Sequence, residues 1–215
     1  KFVRYLALAP YLQGIFASGS MAINNTDEKS DFDILIIAKS GHLYTCRFFL
    51  WVVSSLLGVR RKKDQKVAPN KLCFNHYIAD NSLYIPHESI FNAQTYINLK
   101  PVLANPDLIG DFYRANLWLN NYVYNFQPQK EFVRRSAAAP FVFKFIAESI
   151  EFILNLPIAG KIELALKHFQ QERIKKYTTL WQLSEYDAGV LTEEKQFADY
   201  FETVVSTIGG DKAHA

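Results

Sequence analysis

The sequence predicts an α+β protein, because its strand-like segments crowd into the first 85 or so residues and helical periodicity takes over from about residue 88 onward. Two observations carry most of that prediction. Residues 32–38, Phe-Asp-Ile-Leu-Ile-Ile-Ala, are a β-branched and aromatic run of the kind buried on both faces of a sheet. Pro106, Pro128, Pro140 and Pro157 punctuate the second half at positions where helices start.

The elements follow in order. Residues 2–9 suit one or two helical turns stopped by Pro10, and 14–18 form a compact apolar strand ending in Gly19-Ser20. Residues 21–30 are polar, without an apolar period, and read as a surface loop or short helix. After strand 32–38, Lys39-Ser40-Gly41 breaks the chain and a helix over 42–57 ends at Gly58, with Arg60 and Arg61 beyond it. Residues 60–70 are a charged loop, 71–79 a strand, 80–82 a turn and 83–85 a short return strand. Helices are predicted over 89–99, 107–124, 141–154, 158–181 and 193–206. The change of grammar near Pro101 divides the chain into a first domain of 1–103, a helical domain of 104–208 and a tail of 209–215.

Composition narrows the function classes. With 49% apolar and 21% charged residues the chain is not a disordered one, and 215 residues can bury a substantial core. A net charge of +3 does not by itself announce a nucleic-acid binder, since such affinity depends on local clusters. Two clusters exist, Arg60-Arg61-Lys62-Lys63 with Lys66, and Arg173 with Lys175 and Lys176; each reads equally as a solvated face. Cys46 and Cys73 make no metal knuckle and fit a reducing, cytoplasmic setting. The apolar stretch 48–59 is too short to span a bilayer, and no signal peptide pattern is visible. The chain opens on Lys1, so whether residues precede it stays open, as does the oligomeric state.

The chemistry concentrates in residues 19–33, which read Gly-Ser, ten residues, then Asp-x-Asp at the entry to a strand. Asp31 and Asp33 are two apart, so their side chains share one face while Phe32 points into the core. Carboxylates converging there can hold Mg²⁺, a hard cation that leaves positions for phosphate oxygens. A second ion sharing them would give the two-metal arrangement that serves both the attacking and the leaving oxygen. Gly19 permits close backbone approach to a triphosphate, and the Gly19 and Ser20 N–H groups with the Ser20 hydroxyl can donate to its oxygens.

These residues resemble the Gly-Ser-x10-Asp-x-Asp signature of the minimal nucleotidyltransferases, a branch of the DNA polymerase beta-like superfamily, with the spacing matched without a gap. Chance would produce such a pattern well below about once in a hundred chains of this length. The likeness is firm over 14–38, extends through 85, and is only architectural beyond. It implies a small mixed β-sheet core flanked by helices and followed by a helical domain. It further implies transfer of a nucleoside monophosphate from an NTP to an acceptor hydroxyl, with Mg²⁺, or Mn²⁺ in its place, as cofactor. An RNA end, a small molecule and a protein side chain all remain open as acceptor.

One departure stands out. Many members of the superfamily add a third carboxylate from a later strand, but the corresponding strand here is Lys-Leu-Cys-Phe-Asn-His-Tyr-Ile, with Asn75 as its central polar residue. Asn75 can ligate through oxygen but cannot take a proton. In a regular strand His76 faces the other way and reads as a hydrogen-bonded core histidine. Asp64, Asp80 and Glu88 are the remaining acids nearby, each a weaker candidate. Lys100, Arg114 and Asn116 are candidates to meet the triphosphate, weighed against a surface role for Arg114. Phe112, Trp118, Tyr122 and Phe126, at helical spacing, read as core rather than a base-stacking platform. The alternative function is a catalytically silent nucleotide-binding or interaction module on the same fold.

Overall fold

The computed structural model describes residues 2–27, 30–61, 69–126, 140–155, 159–183, 188 and 195–208. It is an α+β structure built on a four-stranded mixed sheet in the order β3-β2-β1-β4. The strands are β1 (Leu12–Ala17), β2 (Phe32–Ala38), β3 (Leu72–Ala79) and β4 (Lys100–Ala104). β1 runs antiparallel to both β2 and β4, whereas β2 and β3 are parallel. Parallel neighbours need a crossover, which α2 (Leu43–Leu56) supplies after the four-residue turn α1 (Gly19–Ala22). As expected from the sequence, α2 ends against Gly58, whose φ of 64° is the left-handed conformation that closes a helix.

The central strand is buried on both faces, as its composition predicts. Ile34, Ile36 and Ala38 pack on one side with Leu6, Ile15, Cys46, Leu50 and Leu72. Leu35 and Ile37 pack on the other with Phe16 and residues of three further helices. Those helices are α3 (Ile90–Ile97), α4 (Pro106–Ala115) and α5 (Leu119–Tyr122). Ser89 caps α3 by accepting from the Asn92 N–H at 3.1 Å, and Asn105 caps α4 by accepting from Asp107, with Pro106 opening that helix.

Two readings of the sequence give way here, and one strand had no counterpart in it. The segment 83–85 forms no strand; its Ile85 N–H and Leu83 carbonyl bond instead to the side chain of Asn116, at 2.8 Å each. The single helix expected over 107–124 is interrupted at Asn116, between α4 and α5. β4, on the other hand, was hidden by its length and by Pro101, a residue tolerated because β4 is an edge strand.

The chain divides into two compact units, one of Lys1–Arg61 and Val67–Glu163 and a second that takes in Leu164–Ala215. The seam therefore lies beyond the expected 103/104 boundary, because β4 pairs with β1 and α4 and α5 complete the second face of the core. The tail assigned to 209–215 lies outside the described residues. Within the first unit, α6 (Phe141–Leu154) holds Tyr11 in its left-handed conformation, φ 62°: the Tyr11 N–H donates to Glu151 at 2.6 Å and its hydroxyl to Asn155 at 2.9 Å. The helix α7 (Ala159–Trp181) begins in this unit, and its Glu163 carboxylate accepts from the Tyr44 and Thr45 N–H groups at 2.9 and 2.8 Å and from the Thr45 hydroxyl at 2.6 Å.

Glu163 thus caps α2 from a distant point in sequence, supplying both acceptors and negative charge where the helix dipole is positive. Glu163→Ala is expected to lower stability by about 2 kcal/mol, read as a reduced urea midpoint. A loss below about 0.5 kcal/mol would mean that water replaces the carboxylate at no cost.

In the second unit, Tyr177 is buried against Trp181, Phe201 and Ala188, and its hydroxyl donates to Glu202 at 2.9 Å. Phe201 and Glu202 belong to α8 (Lys195–Ile208). Among the described residues no helix is long and apolar enough to cross a membrane.

Candidate functional site

The topology brings the motif residues to one end of the sheet. β1 delivers Gly19 and Ser20 at its C-terminal end; because β2, β3 and β4 all run opposite to β1, their first residues arrive at the same edge. Asp33 comes from β2 and Asp31 from the residue just before it, Cys73 from β3 and Lys100 from β4. Across that edge the order is Cys73, the Asp pair, the Gly-Ser turn and Lys100.

Short hydrogen bonds shape the motif. The Ser18 N–H donates to the Asp33 carbonyl at 2.9 Å, the Asn25 N–H to the Ser20 carbonyl at 2.9 Å, and Ser30 and Asp27 bond to each other just ahead of Asp31. Gly19 adopts φ 60°, and a Cβ there would collide with the Asp33 Oδ2 and lie 3.2 Å from its Cγ. Two independent constraints therefore require glycine: a left-handed backbone, and a carboxylate packed directly against the α-carbon. Gly19 and Ser20 open the short turn α1, where N–H groups have no partner within the helix.

The carboxylates do converge. Ligand atoms of Asp31, Asp33 and Cys73 all lie within 4.8 Å of one another. Cys73 joins them because it stands in register with Asp33 in the parallel β2–β3 pair, and registered residues in such a pair share a face. Burial, then the charges of Asp33 and Asp31, push its thiol up to about 11, against a smaller opposing pull from Arg61. Near pH 7 Cys73 is thus a thiol, neither nucleophile nor base.

Asp31 is also held from the side, its Oδ2 accepting from Arg61 Nη1 at 2.6 Å. Burial works against the guanidinium charge, but the hydrogen bond to Asp31 and its negative charge outweigh that and raise the Arg61 pKa. Arg61 is fixed by its own backbone, whose N–H donates to the Leu72 carbonyl at 3.0 Å beside the bridge between Arg60 and Leu72.

Sequence reasoning missed both Arg61 and Cys73 as site residues. Arg61 is one cation in a basic run, and in β3 the polar centre of the strand, Asn75, draws the eye away from Cys73. The β2–β3 register slips between Ile34 and Leu35, which pair with Phe74 and His76, so Asn75 is an extra, bulged residue. Its side chain lies outside the described residues. Regular alternation is broken, and His76 turns toward α3, its Nδ1 lying 3.1 Å from the Tyr96 hydroxyl. It is hydrogen-bonded as expected, and burial, with help from His87, lowers its pKa.

The other candidates divide. Lys100 stands in register with Ala17, beside the Gly-Ser turn, and its ammonium donates to the Asn24 Oδ1 at 3.0 Å. Arg114 pairs with Asp111 on the exposed surface of α4. Asn116 is a structural residue, 1% exposed, and Phe112 and Trp118 are core. Tyr122 rests edge-on against Trp118, while Phe126 packs against the core. Asp80, at the far end of β3, accepts from the Ser40 N–H at 2.8 Å, and Glu88 accepts from the Tyr84 hydroxyl. Asp64, Lys62, Lys63, Lys66 and the Arg173 side chain lie outside the described residues. Lys176 pairs with Glu202 at 3.5 Å, and Lys175 lies 3.2 Å from the His168 ring.

No family model matches the chain, and no solved structure matches it. Part of it is similar to one of the subunits of aspartyl/glutamyl-tRNA(Asn/Gln) amidotransferases. The Chlorobium limicola protein is 40% identical over 64 residues, 30% of this chain and 14% of that protein. The Streptococcus agalactiae protein is 47% identical over 51 residues, 24% of this chain and 10% of its own length. The chain thus spans only about a seventh of the first of these relatives and a tenth of the other, a local likeness that does not extend to their whole length.

Proposed function

We propose that this protein is a Mg²⁺-dependent nucleotidyltransferase of the polymerase beta-like kind, moving a nucleoside monophosphate from an NTP to an acceptor hydroxyl. The observation that carries the reading is the convergence of Asp31 with Asp33, whose carboxylate lies against the Gly19 backbone.

The donor set fits a hard divalent cation. Asp31 and Asp33 would hold Mg²⁺ or Mn²⁺ through oxygen, with the softer Cys73 sulfur beside them. When bound, the ion neutralises phosphate charge and lowers the pKa of an oxygen it touches. The chain's own residues do the rest. Gly19 and Ser20 donate backbone N–H groups, and Ser20 a hydroxyl, to the phosphates; Lys100 adds a cation on the β4 side. The acceptor hydroxyl gives its proton to solvent water as its oxygen bonds to the α-phosphorus, and the bond to the departing pyrophosphate breaks.

The alternative, a silent nucleotide-binding module, is favoured by one feature: β3 contributes Cys73 and Asn75 where a third acid would supply a base. The test is pyrophosphate release from each of the four NTPs with Mg²⁺, using bulk RNA, tRNA and the protein itself as acceptors. tRNA is included because the partly similar amidotransferase subunits are named for it. The double variant Asp31→Ala/Asp33→Ala is expected to lose at least about a thousandfold in rate. Release that persists in that variant would remove the reading; Mg²⁺-dependent NTP binding without release would move it to the silent module. A cytoplasmic setting, in keeping with Cys46 and Cys73 as thiols rather than a disulfide, belongs to the same proposal.

A further inference from the structure

Resting on that reading, we infer that Arg61 is a nucleotide-exchanged cation: in the nucleotide-free site it occupies Asp31, and when a triphosphate arrives it moves to the phosphates and releases the carboxylate. Its guanidinium sits on Oδ2 of Asp31 at 2.6 Å, and a carboxylate engaged this way binds a divalent cation less well. Asp31 and Asp33 lie close enough to repel, so without an ion between them they need a counterion, and Arg61 supplies it.

Three properties suit Arg61 to the exchange. Its backbone is anchored to β3 through Leu72, so only the side chain has to swing. The pair is open to solvent, with side-chain exposures of 30% for Arg61 and 23% for Asp31, so it can be broken cheaply and reached by an incoming anion. A guanidinium also offers two parallel donors to phosphate, the geometry for which arginine is preferred over lysine. Lys100, on the other flank, bonds among the described residues to the neutral amide of Asn24 rather than to a carboxylate.

The test uses the full chain with Arg61→Ala, Arg61→Gln and Arg61→Lys, each first checked for a native melting transition. Mn²⁺ binding without nucleotide, followed by the loss of its free-ion paramagnetic resonance signal, is expected to tighten about fivefold in Arg61→Ala and Arg61→Gln and to stay near wild type in Arg61→Lys. NTP affinity with Mg²⁺ present is expected to weaken about tenfold in the neutral variants, with partial rescue by Lys. Unchanged or weaker Mn²⁺ binding in the neutral variants would make Arg61 a structural prop and overturn the inference. Tighter Mn²⁺ binding with unchanged NTP affinity would also overturn it, since the guanidinium would then mask Asp31 without meeting phosphate. If the wild-type chain binds neither Mn²⁺ nor Mg²⁺-NTP, the nucleotidyltransferase reading fails and takes the inference with it. A wild type that binds both, beside indifferent Arg61 variants, defeats the inference alone.

Discussion

Under the proposed nucleotidyl transfer, Gly19→Ala is expected to reduce turnover about a hundredfold while leaving a folded protein. The first cause is backbone strain: Gly19 holds φ 60°, and a side chain there costs about 1–2 kcal/mol. The second is the carboxylate. The new Cβ collides with Asp33 Oδ2, and the atoms it meets belong to the carboxylate proposed to bind the ion. Relief comes either by rotating Asp33 away from Asp31 and Cys73 or by lifting the turn that presents the Gly19 and Ser20 N–H groups. Either shift separates the two halves of the site. The comparison to make is initial rate against urea midpoint, with Mn²⁺ affinity alongside. A variant within about threefold of wild type in rate would show that the contact between Gly19 and Asp33 has no bearing on the chemistry.

Asn116→Ala is expected to give the largest loss of stability, about 3–5 kcal/mol. Asn116 uses all four of its hydrogen-bonding positions at 1% exposure. Its amide donates to the carbonyls of Leu83 and Phe112, both at 2.8 Å, and its oxygen accepts from the Ile85 N–H at 2.8 Å and Trp118 Nε1 at 3.0 Å. Truncation leaves these buried groups without partners, and the segment around Leu83 and Ile85 has no strand ladder to fall back on. Asn116→Asp is expected to cost nearly as much, because a carboxylate cannot donate to Leu83 and Phe112. Chemical denaturation measures both; a loss below about 1 kcal/mol would mean that water takes over the network. Mn²⁺ affinity of the folded fraction should stay unchanged, since Asn116 serves the α4–α5 corner and the site lies at the sheet edge.

The legible parts of this protein are those written in short spans of sequence. β2 declared itself because every residue from Ile34 to Ala38 is buried, so all are apolar, and Asp31 and Asp33 broke that rule at its entrance. The end of α2 was readable from Gly58 and the start of α4 from Pro106, because such signals act on neighbours a few residues away. β4 escaped notice because five residues with a proline carry little periodicity, and its strand character comes from pairing with β1. Asn116 resembled any polar residue in an amphipathic helix; what it holds lies more than thirty residues earlier, at Leu83 and Ile85.

For the proposed site, the candidate residues were named from sequence: two acids two apart at the entry to a strand and a Gly-Ser pair ahead of them, a spacing short enough to read as a motif. Their company was not. Cys73 meets Asp33 through a strand register, His76 turns to Tyr96 through a bulge at Asn75, Arg61 reaches Asp31 across thirty residues and Glu163 caps α2 across nearly 120. Register, bulges and long-range ion pairs depend on which segments become neighbours once the core closes. Only the tertiary structure decides that, because the free energy that selects it is spread over the whole packed core rather than carried by any one stretch of chain.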